Sequence, residues 1–492
     1  MQNYKKILSS ISIITIAYAS SRLLGFFREI LLANWAGVSG ETDVLDLAFI
    51  IPDFLFYLSA GGYLAITLIP LLGKKDSKDV NNYFLSLLYG LSTVFVVLSS
   101  IGYLFKNQIA EILNVQNQTL FIEIFGLIIF SQVFFFIGAI LMSYQYFKEE
   151  FKYAALAPIV YNATIILFGW LNSSDPTSTI KGFALGTLIG SVLGHLVIQI
   201  FGAKKSGLEF KILRFKLSDV KNYIVISFPL ILGQSIAVMD EQLFRYFGSF
   251  LSVGSIATFR YARRVAFLPV GIIAQAVGVA SYPFLSKLFQ KNKIDELDLL
   301  VKKQIAYLYL ISGGIVIICF FSSEFIIQMI YERGAFTNSD TLQVSRVFQI
   351  ISLGIIPWSI NQIVTRSFYV QQQFWFPVIT GTVITLVSFF ILLNIDTDGI
   401  LYTKIIVASL YVYLSILLLN LKFENLKFFN KDFFEDLTKI SFLLVSTFTL
   451  INFFNFESNL LSVSTVSLST VLILFVSLNL LKFKYIKIGK NK

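Results

Sequence analysis

Apolar runs of roughly 20–30 residues recur from one end of this chain to the other, each long enough to cross a hydrocarbon core of about 30 Å. That property excludes an ordinary soluble fold for a chain of 492 residues that is 56% hydrophobic and only 14% charged. In lipid every backbone polar group must find its partner inside the protein, so the choice is between helices and a closed barrel. The runs are too long for barrel strands and lack two-residue alternation. The expectation is an all-α polytopic membrane protein of about fourteen transmembrane helices. They fall near 9–36, 43–72, 81–105, 120–143, 153–171, 180–202, 221–250, 253–286, 304–330, 342–370, 374–394, 398–420, 438–454 and 460–481. The first run continues directly into Arg22 without a small-residue cleavage site, so it reads as a span and not as a removable signal peptide.

The net charge of +10 is explained by topology without nucleic acid. Alternate loops, together with both ends of the chain, hold 27 lysines and arginines, densest in Lys204, Lys205, Lys211, Arg214, Lys216 and Lys221. The opposite loops hold only Lys106, Lys181 and Arg333. The positive-inside rule then places both termini in the cytoplasm. The single cysteine, Cys319, excludes an internal disulfide and a thiolate metal cluster. The single histidine, His195, lies among apolar residues and reads as a packed or pore-facing structural group.

The two halves of the chain echo each other. Pro52 and Pro269, Gly61 and Gly278, and Gly182 and Gly399 are each 217 residues apart, and Pro158 and Pro377 are 219 apart. Six spans per copy give both copies the same orientation, which implies a pseudo-two-fold along the membrane normal. The organisation expected is an N-lobe over 1–203, a basic cytoplasmic loop over 204–220, a C-lobe over 221–422, and a last segment over 423–492. That segment contains an interfacial connector (423–437), two helices outside the repeat and a basic tail.

Ionisable residues inside spans are expensive and point to function. Arg22 and Arg28 lie in the first span. Arg260, Arg263 and Arg264 lie in the eighth, at a spacing that gathers them within one helical turn. Asp43, Asp46 and Asp53 in span two, and Asp240, Glu241 and Arg245 in span seven, fall at similar depth. A shared, partly aqueous cavity between the lobes, in the outer half of the membrane, accounts for this clustering. Guanidinium groups suit pyrophosphate, which they grip through paired hydrogen bonds. Pairing of the arginines with Glu29 and the other acids, purely to hold helices together, is the competing reading. Glu29, Asp43, Asp240, Glu241 and Arg245 are the candidates for gating or ion coupling, and the pair Asp240 and Glu241 could bind Na+ or a proton. No catalytic triad, nucleotide loop or metal-ligand spacing is present, so the chain reads as no enzyme and as holding no cofactor. Its energy source is expected to be a Na+ or H+ gradient, the membrane potential or downhill cargo.

Ser21-Arg22-Leu-Leu-Gly25-Phe-Phe-Arg28-Glu29, followed by Thr42-Asp43 and a span holding Pro52, resembles the opening of the MurJ/MviN family of lipid II flippases. Tyr261-Ala-Arg-Arg264 with Pro269, Tyr331-Glu-Arg-Gly-Ala-Phe-Thr-Asn-Ser-Asp340-Thr, and Arg366-Ser-Phe-Tyr369 with Phe376-Pro-Val378 are similar to later motifs of that family. The resemblance covers roughly residues 10–400. It implies the multidrug/oligosaccharide-lipid/polysaccharide exporter fold, a bacterial plasma-membrane location, and alternating access that carries undecaprenyl-pyrophosphate-linked peptidoglycan precursor to the outer leaflet. Cell-wall synthesis proteins are the implied protein partners. Arg22, Arg28, Asp43 and Arg264 match charged residues of the family's cavity. The chain departs from the pattern at Phe56 and Tyr57, at Arg263 and at Phe267. Those departures keep two alternatives open: export of another polyprenyl-linked oligosaccharide, and a non-transporting scaffold for wall synthesis.

Overall fold

The computed structural model describes residues 20–59, 63–212, 214–371, 373, 375–393, 431–453, 460–480 and 483–486, and every regular element among them is helical. Among the described residues, seven helices are long and apolar enough to cross a membrane, and one pair bent by 42° passes the same test when joined. The expected span 398–420, the beginning of the first span and the connector residues 423–430 lie outside the described residues. The chain packs as two compact units, Met1–Ala257 with Arg333–Thr337, and Thr258–Glu332 with Asn338–Lys492.

Unit one begins with α1 (20–36). The segment read as one second span is three helices: α2 (Gly40–Ala48), α3 (Ile50–Ser59) and α4 (Tyr63–Gly73). The first break is at Phe49, whose N–H turns to Asp46 O (3.3 Å) in a tighter turn. Pro52 then sits in the first turn of α3, where a missing N–H removes no intrahelical bond. The unit continues with α5 (Ser77–Leu104), α6 (Lys106–Ile112), α7 (Gln118–Phe147), α8 (Lys152–Leu171) and α9 (Pro176–Gly190). A π-helical turn over Ser191–Val197 leads into α10 (Ile198–Lys205), and α11 (Leu217–Gly248) follows. Asp175 caps α9 by accepting the Ser178 N–H (3.0 Å), and the Ser178 hydroxyl and N–H hold its carboxyl below the usual carboxylate range.

The centre of this unit is α7, which packs against helices on every side. Its Phe121, Ile124, Phe125 and Ile128 join Leu45 and Phe183 in one buried cluster. Its Phe136, Ile140 and Tyr144 join Phe84, Leu88 and Phe95 in another, with the Phe95 and Phe136 rings stacked at 4.6 Å. The apolar helix is thus buried against protein and not against lipid, which is why it is apolar all round. The duplication read from the sequence would give α11 to the second lobe, but it packs against α3, α4 and α5. Tyr223 on α11 meets Thr67 on α4 through their hydroxyls at 2.9 Å.

Unit two carries most of α12 (Ser255–Pro269), whose first residues belong to unit one. Immediately after Pro269 the backbone opens into a π-helical turn, Val270–Ala274, and resumes as α13 (Gln275–Gln290). Proline has no N–H to give, and a wider turn accommodates the bond left open. The next helix, α14 (Ile294–Phe321), is the centre of this unit, with α15 (Ser323–Tyr331), α16 (Asn338–Ser352), α17 (Ile355–Val370) and α18 (Trp375–Leu392) after it. The expected ninth and tenth spans are therefore each broken, at Ser322 and at Leu353–Gly354. The last helices, α19 (Lys431–Phe453) and α20 (Leu460–Leu480), pack on α14 and on each other. Residues 431–437, expected in an interfacial connector, form the first turns of α19. Tyr309 of α14 meets Ser441 of α19 at 2.7 Å. Buried Asp436 accepts the N–H groups of Lys484 and Tyr485 at 2.8 Å each, which fastens the segment after α20 to the start of α19.

Candidate functional site

The charged residues singled out in the sequence fall into distinct groups. On α1, Arg22 is exposed, and Arg28, six residues on, is 22% exposed at its side chain. One terminal nitrogen of Arg28 donates to Glu29 Oε1 at 2.9 Å, and the other donates to Asn162 Oδ1 of α8 at 3.2 Å. Asn162 is held in turn by its own amide nitrogen, which donates to Pro158 O at 2.9 Å. The guanidinium is therefore aimed by a carboxylate and an amide and keeps solvent access. Asn162 was not visible as a site residue in the sequence; an asparagine four residues after a helix-interior proline was its one available signal.

On α11, Arg245 donates to Asp53 Oδ2 of α3 at 3.0 Å and to Glu241 Oε1 at 3.3 Å. This triad joins two helices, and it occupies an acid that the sequence offered for binding an ion. Asp240 precedes Glu241 on the same helix, and its side chain lies outside what the structure describes.

Asp43 is placed differently. It is 9% exposed, and its two oxygens accept the N–H of Gly254 and the N–H of Ala257, both at 2.7 Å. It caps the first turn of α12 from a distant part of the chain, where a negative charge is favoured. The neighbouring backbone is equally tight. Ala335 N donates to Asn34 O at 2.8 Å. Gly37 (φ +60°) and Gly334 (φ +58°) stand where a Cβ would come within 2.4 Å of Ala335 O and 2.3 Å of Asn34 O. Only glycine fits there. The end of α1 thus meets the 333–337 loop through backbone, and the 249–254 loop is held to α2 by the Asp43 carboxylate.

In unit two the three arginines of α12 do not share one environment. The Arg260 guanidinium lies 4.8 Å from the centre of the Tyr261 ring, and that of Arg263 lies 4.9 Å from the Phe267 ring. Phe267 packs on Trp358 at 4.3 Å. Both contacts are cation–π arrangements that hold a weakly hydrated cation in an apolar setting. Arg264 is exposed. His195, in unit one, stacks on Phe135 at 3.9 Å with its ring nitrogen Nε2 buried, consistent with a packing role.

The described residues form an all-helical arrangement with arginines set inside apolar spans and broken helices beside them, and this is the fold of multi-pass membrane transporters. The fold superposes on "Lipid II flippase MurJ, inward closed conformation" with a TM-score of 0.79 at 23% identity, covering 95% of this chain and 98% of that one. It also superposes on an inward-facing multidrug resistance MATE family transporter of the MOP superfamily with a TM-score of 0.64 at 12% identity, covering 83% of this chain and 95% of that one. Residues 32–479 match the family described as "Lipid II flippase MurJ", and the chain belongs to that family. Among its relatives, the "Lipid II flippase MurJ" of Thermosipho africanus is 28% identical over 388 residues, 77% of this chain and 78% of the relative. The "Probable lipid II flippase MurJ" of Buchnera aphidicola subsp. Acyrthosiphon pisum is 27% identical over 389 residues, 76% of this chain and 75% of the relative.

Proposed function

We propose that this protein is a lipid II flippase that moves undecaprenyl-pyrophosphate-linked peptidoglycan precursor from the inner to the outer leaflet by alternating access. The observation that carries the reading is family membership over residues 32–479. The arginines supply the chemistry. Arg22, Arg28, Arg260, Arg263 and Arg264 are the ligands for the pyrophosphate, whose charge needs guanidinium donors in a medium that solvates it poorly. Arg28, aimed by Glu29 and Asn162, and the exposed Arg264 make the principal contacts. Glu29, Asp43, Asp240, Glu241 and Arg245 serve gating or coupling, and the Asp53–Arg245–Glu241 triad supports that role because a cation or proton binding the acids would loosen α11 from α3. Coupling is to a Na+ or H+ gradient or to the membrane potential. Both termini lie in the cytoplasm, as the loop charges favour. The lobes of the duplication run over 1–203 and 221–422, and cell-wall synthesis proteins are the protein partners.

The test is depletion in the host with a leaflet assay for lipid II. Depletion traps precursor in the inner leaflet, and Arg28→Ala or Arg264→Ala fails to rescue although the variant inserts. Precursor that still reaches the outer leaflet after depletion would overturn the reading. Rescue by both variants would assign these arginines to structural pairing.

A further inference from the structure

Unit two contains a cavity of about 660 Å³ that none of those five arginines lines. Its walls are Tyr282 and Pro283 of α13 and Asn361, Gln362, Thr365, Arg366 and Tyr369 of α17. It lies toward the end of α13 that runs into Lys287, Lys291 and Lys293, the lysine-rich side of the sequence pattern. Its volume is that of a small-molecule site.

The hydrogen bonds of Arg366 and Thr365 occupy the side-chain amide oxygens of this lining. One terminal nitrogen of Arg366 donates to Gln362 O at 2.6 Å and to Gln362 Oε1 at 2.9 Å. The Thr365 hydroxyl donates to Asn361 Oδ1 at 3.0 Å. Each side-chain amide oxygen accepts a hydrogen bond, and Arg366, which can only donate, fixes which way the Gln362 amide faces. The Asn361 and Gln362 amide nitrogens, the Arg366 Nε and its second terminal nitrogen make no hydrogen bond among the described residues. No carboxylate pairs with Arg366 among the described residues, whereas Arg28 has one and Arg245 two. A guanidinium and two amides presenting only N–H groups, with no acid to neutralise them, form a lining that repels cations and suits an anion with several oxygens. The cavity is larger than a bare oxyanion needs, and two tyrosines and a proline add apolar wall.

We infer that this cavity binds a phosphate ester, with Arg366 as its charged ligand and Asn361 and Gln362 as amide donors. The phosphate is that of a lipid headgroup or of a free phosphate compound; the chemistry is the same. The site stands independently of the role given to the arginines of α1 and α12. Gly278 seats the guanidinium: a Cβ there would lie 2.5 Å from its bonded terminal nitrogen and 2.7 Å from Cζ. A methyl group at that position would push a flexible side chain aside without striking backbone.

The experiment uses the full chain in nanodiscs of phosphatidylcholine, titrated calorimetrically with inorganic pyrophosphate. Arg366→Gln is expected to weaken the affinity by about tenfold or more. Gly278→Ala, which keeps the charge and displaces it, is expected to weaken it severalfold with unchanged melting. The double variant Arg28→Gln with Arg264→Gln is expected to retain the Arg366-dependent binding, so loss of flipping in that variant is separable from loss of this site. A second arm uses nanodiscs containing phosphatidylglycerol. If a membrane headgroup is the occupant, the lipid competes with pyrophosphate and is retained through purification by the wild type but not by Arg366→Gln. If a free phosphate compound is the occupant, pyrophosphate affinity is the same in both membranes. Equal pyrophosphate binding and equal lipid retention by wild type, Arg366→Gln and Gly278→Ala would overturn the inference and leave the flippase reading untouched.

Discussion

Replacing Asp43 by asparagine changes one atom and removes half of a cap. In the native protein both carboxylate oxygens are engaged, each by a backbone N–H at 2.7 Å, and the group is 9% exposed. An asparagine can offer one oxygen. Its amide nitrogen must then face the N–H of Gly254 or of Ala257, donor against donor. Loss of a hydrogen bond to a charged acceptor costs about 1.5–3 kcal/mol, and loss of the negative charge at the start of α12 adds about 0.3–1 kcal/mol. The sum is roughly 2–4 kcal/mol of local opening free energy, and 2 kcal/mol is a factor of about 30 in the opening equilibrium. The assay is amide hydrogen exchange of the full chain in nanodiscs, read on peptides covering 249–260. Asp43→Asn should speed exchange there by at least that factor. Peptides of α19, which packs on α14 and α20, should be unchanged. Exchange over 249–260 that stays at the wild-type rate would refute the assignment of Asp43 as the cap of α12.

Other outcomes are expected from the same structure. Arg245→Ala removes the guanidinium that Asp53 and Glu241 share and should destabilise unit one by about 1–3 kcal/mol, discounted for their partial exposure; adding Asp53→Ala should recover part of the loss in a double-mutant melting cycle. Gly334→Ala forces a methyl group onto Asn34 O at a left-handed backbone position and should cost about 1–3 kcal/mol, seen as a lower melting temperature, whereas the same change at the open Gly73 should not. Asp436→Ala frees the N–H groups of Lys484 and Tyr485, so trypsin should cut after Lys484 at a much higher rate than in the wild type. Asp432 is exposed outside the spans, and its bond with Lys484 holds its carboxyl below the usual range. That contact is therefore present at neutral pH and lost only as pH falls through a range below the usual carboxylate one, and Asp432→Asn should abolish the resulting acid-dependent rise in amide exchange over residues 483–486.

The helical architecture was legible because span length and loop charge are local properties. The ends of α5, α7, α8 and α11 fall within a few residues of the apolar runs that announced them. The breaks were not legible. Hydropathy is blind to Phe49, to Ser322 and to the π-helical turns, because each break keeps the segment apolar while changing which carbonyl an N–H meets. The arginines were found because charge in an apolar run is conspicuous, but their partners were not. Asp43 read as a cavity acid, and its partners are two amides more than 200 residues away. The triplet on α12 read as one anion clamp, while Arg260 and Arg263 lie on aromatic rings contributed by their own helix. Arg366 stands out in the sequence through its family likeness alone. Its setting depends on the amide orientations of Asn361 and Gln362, which no spacing rule encodes.

Asn34, Gly37, Gly334 and Ala335 meet through main chain, with Gly37 buried beneath the exposed Gly334 and Ala335. A molecule shaped to recognise that peptide outline would meet an adversary with little room to mutate. Substitutions of the two glycines carry a penalty in the folded protein itself, so escape would have to come from residues that the inhibitor does not touch.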